Sequence, residues 1–191
     1  MRYLRKSLQG SEKMSKPAPA SPVKLIISSI YSSKEDWLEL IPRLEERFGR
    51  IDYSSKEMDF NWTDYYQREM GAPLFRQIIS FKRLIQRTEL VSIKLFTNQL
   101  EQEKAEQGRR KVNLDPGILS LDHLVLATGK PCAHRIYLGE GIWADLHLIY
   151  QSGSFQPLAW TYPDYRSQSY IALFNRLREL LKSQLKEVAG K

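Results

Sequence analysis

Apolar residues follow two periods along this chain, and the switches between them predict a mixed order of strands and helices. Val23 to Tyr31 is a short apolar run rich in isoleucine, the pattern of a buried strand. Ser33 with Asp36 three residues on is a capping-box-like helix start. Trp37, Ile41, Leu44 and Phe48 then recur at helical spacing, and Gly49 closes the segment. Pro42 within it predicts a kink near Leu38. Residues 51–60 read as extended and 64–70 as one helical turn, ended by Gly71-Ala72-Pro73. Leu74 to Phe81 reads as a strand paired with the preceding one. A helix is expected over 88–107, with Leu90, Ile93, Thr97 and Leu100 on one side and Gly108 as its stop. Lys111 to Leu114 reads as a short strand, and Pro116-Gly117 behind it as a type II turn.

This succession predicts an α+β fold with a ferredoxin-like (split βαβ) core. Leu121 to Thr128 fits either helix or strand. Two strands, His134 to Leu138 and Ile142 to Tyr150, and a short extended piece over 155–158 come next. Ser167 then caps a helix to about Lys186 that carries Tyr170, Phe174, Leu177 and Leu181 on one face. The core is thus extended by a C-terminal β-hairpin and terminal helix, and 23–186 reads as a single domain. In the hairpin, Ile136, Leu138, Ile142, Ala144, Leu146 and Leu148 occupy even positions. A three-residue Gly139-Glu140-Gly141 loop keeps them on one face. The same register sets Tyr137 opposite Trp143 and Arg135 opposite Asp145.

Composition narrows the class. Hydrophobic residues make up 42% of 191, a normal globular share. No apolar run is long enough to span a bilayer and no secretory signal is evident, so a cytoplasmic protein is expected. A single cysteine, Cys132, excludes an internal disulfide and a multi-cysteine zinc site. The net charge is +7, but its location matters more than its size. Residues 1–24 hold six basic side chains against one acidic, and 166–191 six against two, so the middle of the chain is slightly acidic. Residues 1–22 read as a disordered, basic and proline-rich tail, with Met14 an alternative start to Met1. Basic termini admit RNA as a partner.

Chemistry-bearing residues concentrate between Arg109 and Arg166. Asn113 and Asp115 alternate around Leu114 and so point to one side of their strand. A carboxylate there, beside Arg109 and Lys111 on the same side, suits holding a metal, orienting a water or general-base work, or merely a turn. His134 opens the next strand as a second catalytic candidate, and Arg135 offers two parallel hydrogen bonds to a phosphate or carboxylate, or else pairs with Asp145. Lys94 and Asn98 share a helix face. Tyr65, Tyr137 and Trp160 provide rings for stacking, with Asp164 near them in sequence pattern; Asp64 and Glu69 are the hard oxygen donors a magnesium ion would take. Walker-type phosphate loops, dinucleotide fingerprints, nucleophile elbows and zincin motifs are all absent from the sequence.

The blocks FNWTDYYQREMG, IKLFTNQLE, RRKVNLDPGIL, KPCAHRIYLGEGIWADLHLIY and WTYPDYR resemble those of the bacterial family called domain of unknown function 4416. The likeness runs from about Val23 to Leu177. It implies no activity; some relatives bear the label "GTP-binding protein", which a chain without a phosphate loop does not support by that route. The residues themselves lead to a small-ligand site for an anionic, phosphorylated or nucleotide-like compound, with or without a reaction. In it Arg109, Arg110, Lys130 and Arg135 hold the anion and Asp115 and His134 are the reactive pair. The alternative is an RNA- or protein-binding module built on the aromatic and basic hairpin face.

Overall fold

A computed structural model describes residues 16–190. The choice between Met1 and Met14, and most of the expected tail, lie outside the described residues; 16–22 carry neither helix nor strand. The chain then runs β1 (Val23–Tyr31), α1 (Lys34–Phe48), β2 (Ile51–Ser54), β3 (Met58–Asp59), α2 (Gln67–Met70), β4 (Phe75–Ile85) and α3 (Leu90–Glu103). After these come β5 (Val112–Leu119), β6 (His123–Thr128), β7 (Arg135–Gly139), β8 (Ile142–Gln151), β9 (Ser154–Pro157) and α4 (Gln168–Ala189). The fold is α+β: one antiparallel sheet in the order β2-β4-β1-β5-β6-β8-β7, with β3 added to β4 and β9 to β8.

The helices divide between the two faces of this sheet. Trp37, Leu40, Leu44 and Phe48 of α1 join Leu90, Ile93 and Leu100 of α3 over Val23, Leu25 and Ile27. Tyr170, Phe174, Leu177 and Leu181 of α4 cover Ile26, Ile78, Leu124 and Leu148 on the other face. Alternation along β1 therefore feeds two cores, which is why that strand is buried throughout. Capping follows the sequence: Ser33 Oγ accepts from the Asp36 amide at 3.2 Å, and Ser167 Oγ from the Tyr170 amide at 3.4 Å. Pro42 lies inside α1, which continues to Phe48.

Three local expectations are corrected. Pro116-Gly117 is not a turn. Both residues lie within β5, opposite Ile27 and Ile26 of β1. Gly117 is required there by crowding: a Cβ on it would meet Leu126 Cδ2 at 2.7 Å and the Val125 carbonyl oxygen at 2.8 Å. The hairpin loop is tighter than expected. Gly139 pairs with Ile142, leaving Glu140 and Gly141 as a two-residue turn, both at positive φ. Leu138 becomes the unpaired residue, while the Arg135–Asp145 and Tyr137–Trp143 pairs stand as expected. Nor do the even positions of β8 share one face. Val125 pairs with Leu146 but Leu124 with Leu148, so His147 is an extra, bulged residue that turns the strand over. Leu148 consequently joins the core under α4, whereas Ile142 joins the core under α1 and α3.

Candidate functional site

The sheet opens where β5 and β6 part. Their pairing covers only Gly117–Leu119 against Leu124–Leu126. Continued by two residues, the same register would set Asp115 against Thr128, but there the strands are separate. Pro116, which has no N–H to donate, stands just beyond the last rung. Below it lies a cavity of about 680 Å³, within the ordinary range for small-molecule sites. It reaches both faces of the sheet. Leu126 belongs to the core under α4 and Ala127 to the core under α1 and α3, and both line it. Lys94, Asn98 and Glu101 of α3 form one wall, Asn113 and Asp115 of β5 another. Phe60, Trp62, Tyr65 and Tyr66 come from the loop before α2, and Tyr162, Asp164 and Tyr165 from the segment before α4.

A chain of polar contacts fixes the α3–β5 wall. The Lys94 ammonium donates to the Leu114 carbonyl at 2.8 Å and lies 3.5 Å from Asp115 Oδ1. Glu101 accepts from the Leu114 amide at 2.6 Å and from Arg110 Nη1 at 3.2 Å. Arg110 also grips Glu69 with two parallel bonds, Nε to Oε1 at 2.8 Å and Nη2 to Oε2 at 2.7 Å. Its Nη1 donates to Asn113 Oδ1 at 2.8 Å, and Asn113 Nδ2 donates to Asp115 Oδ2 at 2.7 Å. Arg110 thus ties α2, α3 and β5 together and orients the amide that holds Asp115. The Arg110 hydrogen bonds hold the Glu69 carboxyl below its ordinary value, whereas burial pushes the Glu101 carboxyl up despite Lys94 and Arg110.

The opposite wall is also paired. The Arg76 guanidinium, almost fully buried, forms an ion pair with Asp164 and lies over the Phe60 ring at 4.4 Å. Asp145 accepts from Arg135 Nε at 2.9 Å and faces His147 Nδ1 at 3.5 Å. Burial would raise the Asp145 carboxyl, but His147 and Arg135 together bring it below the ordinary range. His147 Nε2 accepts from the Tyr162 amide at 3.2 Å, so its proton sits on Nδ1, toward Asp145. Burial raises the Tyr66, Tyr162 and Tyr165 hydroxyls, which stay protonated donors. At the mouth, Lys130 Nζ donates to the Tyr65 hydroxyl at 2.9 Å and lies over that ring at 4.2 Å.

Of the residues singled out from the sequence, the cavity gathers Asp115, Arg110, Asn113, Lys130, Lys94, Asn98, Tyr65 and Asp164. Two others stand behind its wall. Glu69 contributes through Arg110, and Arg135 through Asp145 and the Tyr162 hydroxyl at 3.1 Å. His134 is stacked on Trp160, centroids 4.9 Å apart, with Nε2 3.6 Å from Asp145, and neither ring lines the cavity. Arg109 is exposed in the bridge it forms with Glu106, Tyr137 packs on Trp143 along the edge of the sheet, and Asp64 is exposed at the turn into α2. Both Glu69 oxygens are taken by Arg110, and among the described residues no group of three or more His, Cys, Asp or Glu is placed to hold a metal ion.

Arg76, Glu101, Tyr66 and Tyr162 were not singled out, and Asp145 was read only as the partner of Arg135. A signal existed for two of them: Glu101 falls on the buried stripe of α3, and Arg76 shares the inward face of β4 with Ile78. Fold and site together define an α+β domain whose sheet splits around one aromatic and polar cavity. A family model described as a domain of unknown function (DUF4416) matches residues 21–181, and the chain belongs to that family. No curated protein and no solved structure matches it. Among the described residues, no helix is long and apolar enough to cross a membrane.

Proposed function

We propose that this domain binds a small, nucleotide-like molecule in the cavity between β5 and β6. The observation that carries the reading is the unequal exposure of the acids in its wall. The side chain of Asp115 is 26% exposed, against 6% for Glu101, 3% for Asp164 and 2% for Asp145. Its two oxygens meet one amide hydrogen bond and a more distant ammonium, which leaves a carboxylate with acceptor capacity to spare. Aromatic rings around it supply the apolar area a small ligand needs.

The expected clamp of four cations is narrowed. Arg109 stands apart, and Arg110 and Arg135 already donate to carboxylates, so Lys130 at the mouth is the residue suited to an anionic group. Binding requires no reaction, and Asp115 is the group on which any reaction would turn.

The test is a thermal-shift screen of nucleosides, nucleotides, sugar phosphates, amino acids and divalent ions. A ligand raises the apparent Tm by mass action. Asn98→Trp, which fills the cavity from α3, is expected to abolish the shift. A screen without any binder, or a shift that survives Asn98→Trp, sinks the reading.

We also infer that β1 to β5 form a split βαβ core. Two features support it: the order β2-β4-β1-β5, antiparallel throughout, and α1 and α3 packed on the same face.

A further inference from the structure

We propose that the occupant of this cavity is a planar nitrogen heterocycle of the nucleobase type, read by Asp115 through ring or exocyclic N–H groups. Any anionic substituent would remain at the mouth beside Lys130. The proposal rests on the small-ligand reading above and goes further by saying which end of the ligand is recognised.

Three observations carry it. The first is charge. Four basic and four acidic side chains line the cavity, and inside it the cations are already engaged. Arg76 is paired with Asp164 through Nη1, its buried Nε having no partner, Lys94 donates to the Leu114 carbonyl, and every N–H-bearing nitrogen of the Arg110 fork donates to Glu69, Glu101 or Asn113. A phosphate pushed to that depth would lose its hydration and find each cation already beside a carboxylate, at a large cost. The second is polarity. The most exposed acid of the inner wall is Asp115, whose carboxylate accepts and does not donate. Its complement on a ligand is a pair of N–H donors; a phosphate oxygen would be repelled. The third is shape. Tyr66 stands edge-on to Phe60 at 5.9 Å and to Tyr65 at 5.0 Å, so flat faces and edges of rings bound the space beside Asp115. Walls of this kind favour a flat ring over a sugar or an aliphatic chain.

Ring edges that carry N–H donors beside an acceptor are the property of cyclic amides and amidines. Asn98, one helical turn from Lys94 on the adjacent wall, complements the acceptor of such an edge. A site built around buried hydrogen bonds discriminates strongly against an analogue that lacks the donor.

Calorimetric titration decides the matter. The probes are the common nucleosides, their 5′-monophosphates, an N-methylated form of any nucleoside that binds, ribose 5-phosphate and pyrophosphate. The expected result has four parts. At least one nucleoside binds, its 5′-phosphate changes affinity by less than about tenfold, ribose 5-phosphate and pyrophosphate do not bind, and Asp115→Asn lowers affinity by about tenfold or more. The N-methylated nucleoside on the wild-type protein gives the same loss without a mutation, which covers the case of an Asp115→Asn protein that does not fold. Several outcomes overturn the proposal: ribose 5-phosphate or pyrophosphate binding as tightly as the nucleotide, Asp115→Asn binding like wild type, an N-methylated ligand binding unchanged, or no nucleoside binding at all. Each of these leaves the small-ligand reading standing if another compound class binds and Asn98→Trp blocks it; failure of every class removes both.

Discussion

Among the described residues two lysines are buried, one in the sheet and one in a helix packed on it, and their surroundings differ in one respect that separates a structural network from a candidate site. Lys24 in β1 is wholly buried and donates to Asp52 at 2.7 Å and to the Phe81 carbonyl at 3.1 Å. Asp52 meets two further donors: Ser80 donates to its other oxygen at 2.7 Å, and Gln184 of α4 donates at 3.3 Å, although the Asp52 side chain keeps 18% of its surface. Burial lowers the Lys24 ammonium against the pull of Asp52. Lys94 in α3 is nearly as buried, but the carboxylate beside it, Asp115, keeps a quarter of its surface and most of its acceptor capacity. The same pair of residue types thus closes one end of the sheet and leaves the other receptive. Charge burial alone is a poor marker of function; unfilled hydrogen-bonding capacity beside a cavity is a better one.

Breaking the closed network should have the largest effect. Asp52→Ala leaves the Lys24 ammonium with one carbonyl for company and is expected to cost about 3–5 kcal/mol in urea denaturation. Next comes the rung that holds β5 to β6. Gly117→Ala forces a methyl group onto the Val125 carbonyl and Leu126, and about 1–3 kcal/mol should be lost by the same measurement. An intact stability in that variant would mean that the strands can separate further than the structure indicates.

The support behind the open network should show in acid. The Glu69 carboxyl is held below its ordinary value of 4.5 by Arg110. The stability it contributes is complete above pH 4.5 and is lost as pH falls from there through the folded-state value. Glu69→Gln should flatten this slope by about 1 kcal/mol or less, since the pair is partly solvated. Smallest of all, Asp115→Asn should alter stability by no more than about 0.5 kcal/mol, because Lys94 retains the Leu114 carbonyl and Asn113 retains an oxygen acceptor. A loss comparable to that of Asp52→Ala would make Asp115 a structural residue and remove the contrast.

Much of the scaffold was legible from periodicity. Trp37, Leu44 and Phe48 mark the buried face of α1, and Tyr170 to Leu181 that of α4, because a helix has one dry stripe and the residues advertise it. What was not legible depends on partners distant in sequence. Pro116-Gly117 has turn chemistry, yet its glycine serves a close approach by Leu126, which no local pattern reveals. The bulge at His147 is equally silent, since an extra residue in β8 is visible only once β6 lies beside it. The candidate site was partly legible for the same reason. Asp115, Asn113, Lys94 and Asn98 announce themselves by alternation or helical spacing. Arg76 looked like an isolated charge until the fold brought Asp164 to it, whereas Asp145 was legible as the partner of Arg135 but not as part of a cavity wall.

That one inserted residue has an evolutionary corollary. Because β8 changes sides at His147, its first half answers to the helices on one surface and its second half to the helix on the other. Deleting a single codon there would rotate every downstream side chain by half a turn, exchanging interior for exterior as far as Gln151. Substitutions along β8 are therefore individually survivable where a change of length is not, and descendants of this chain should drift in composition across that segment while keeping its residue count.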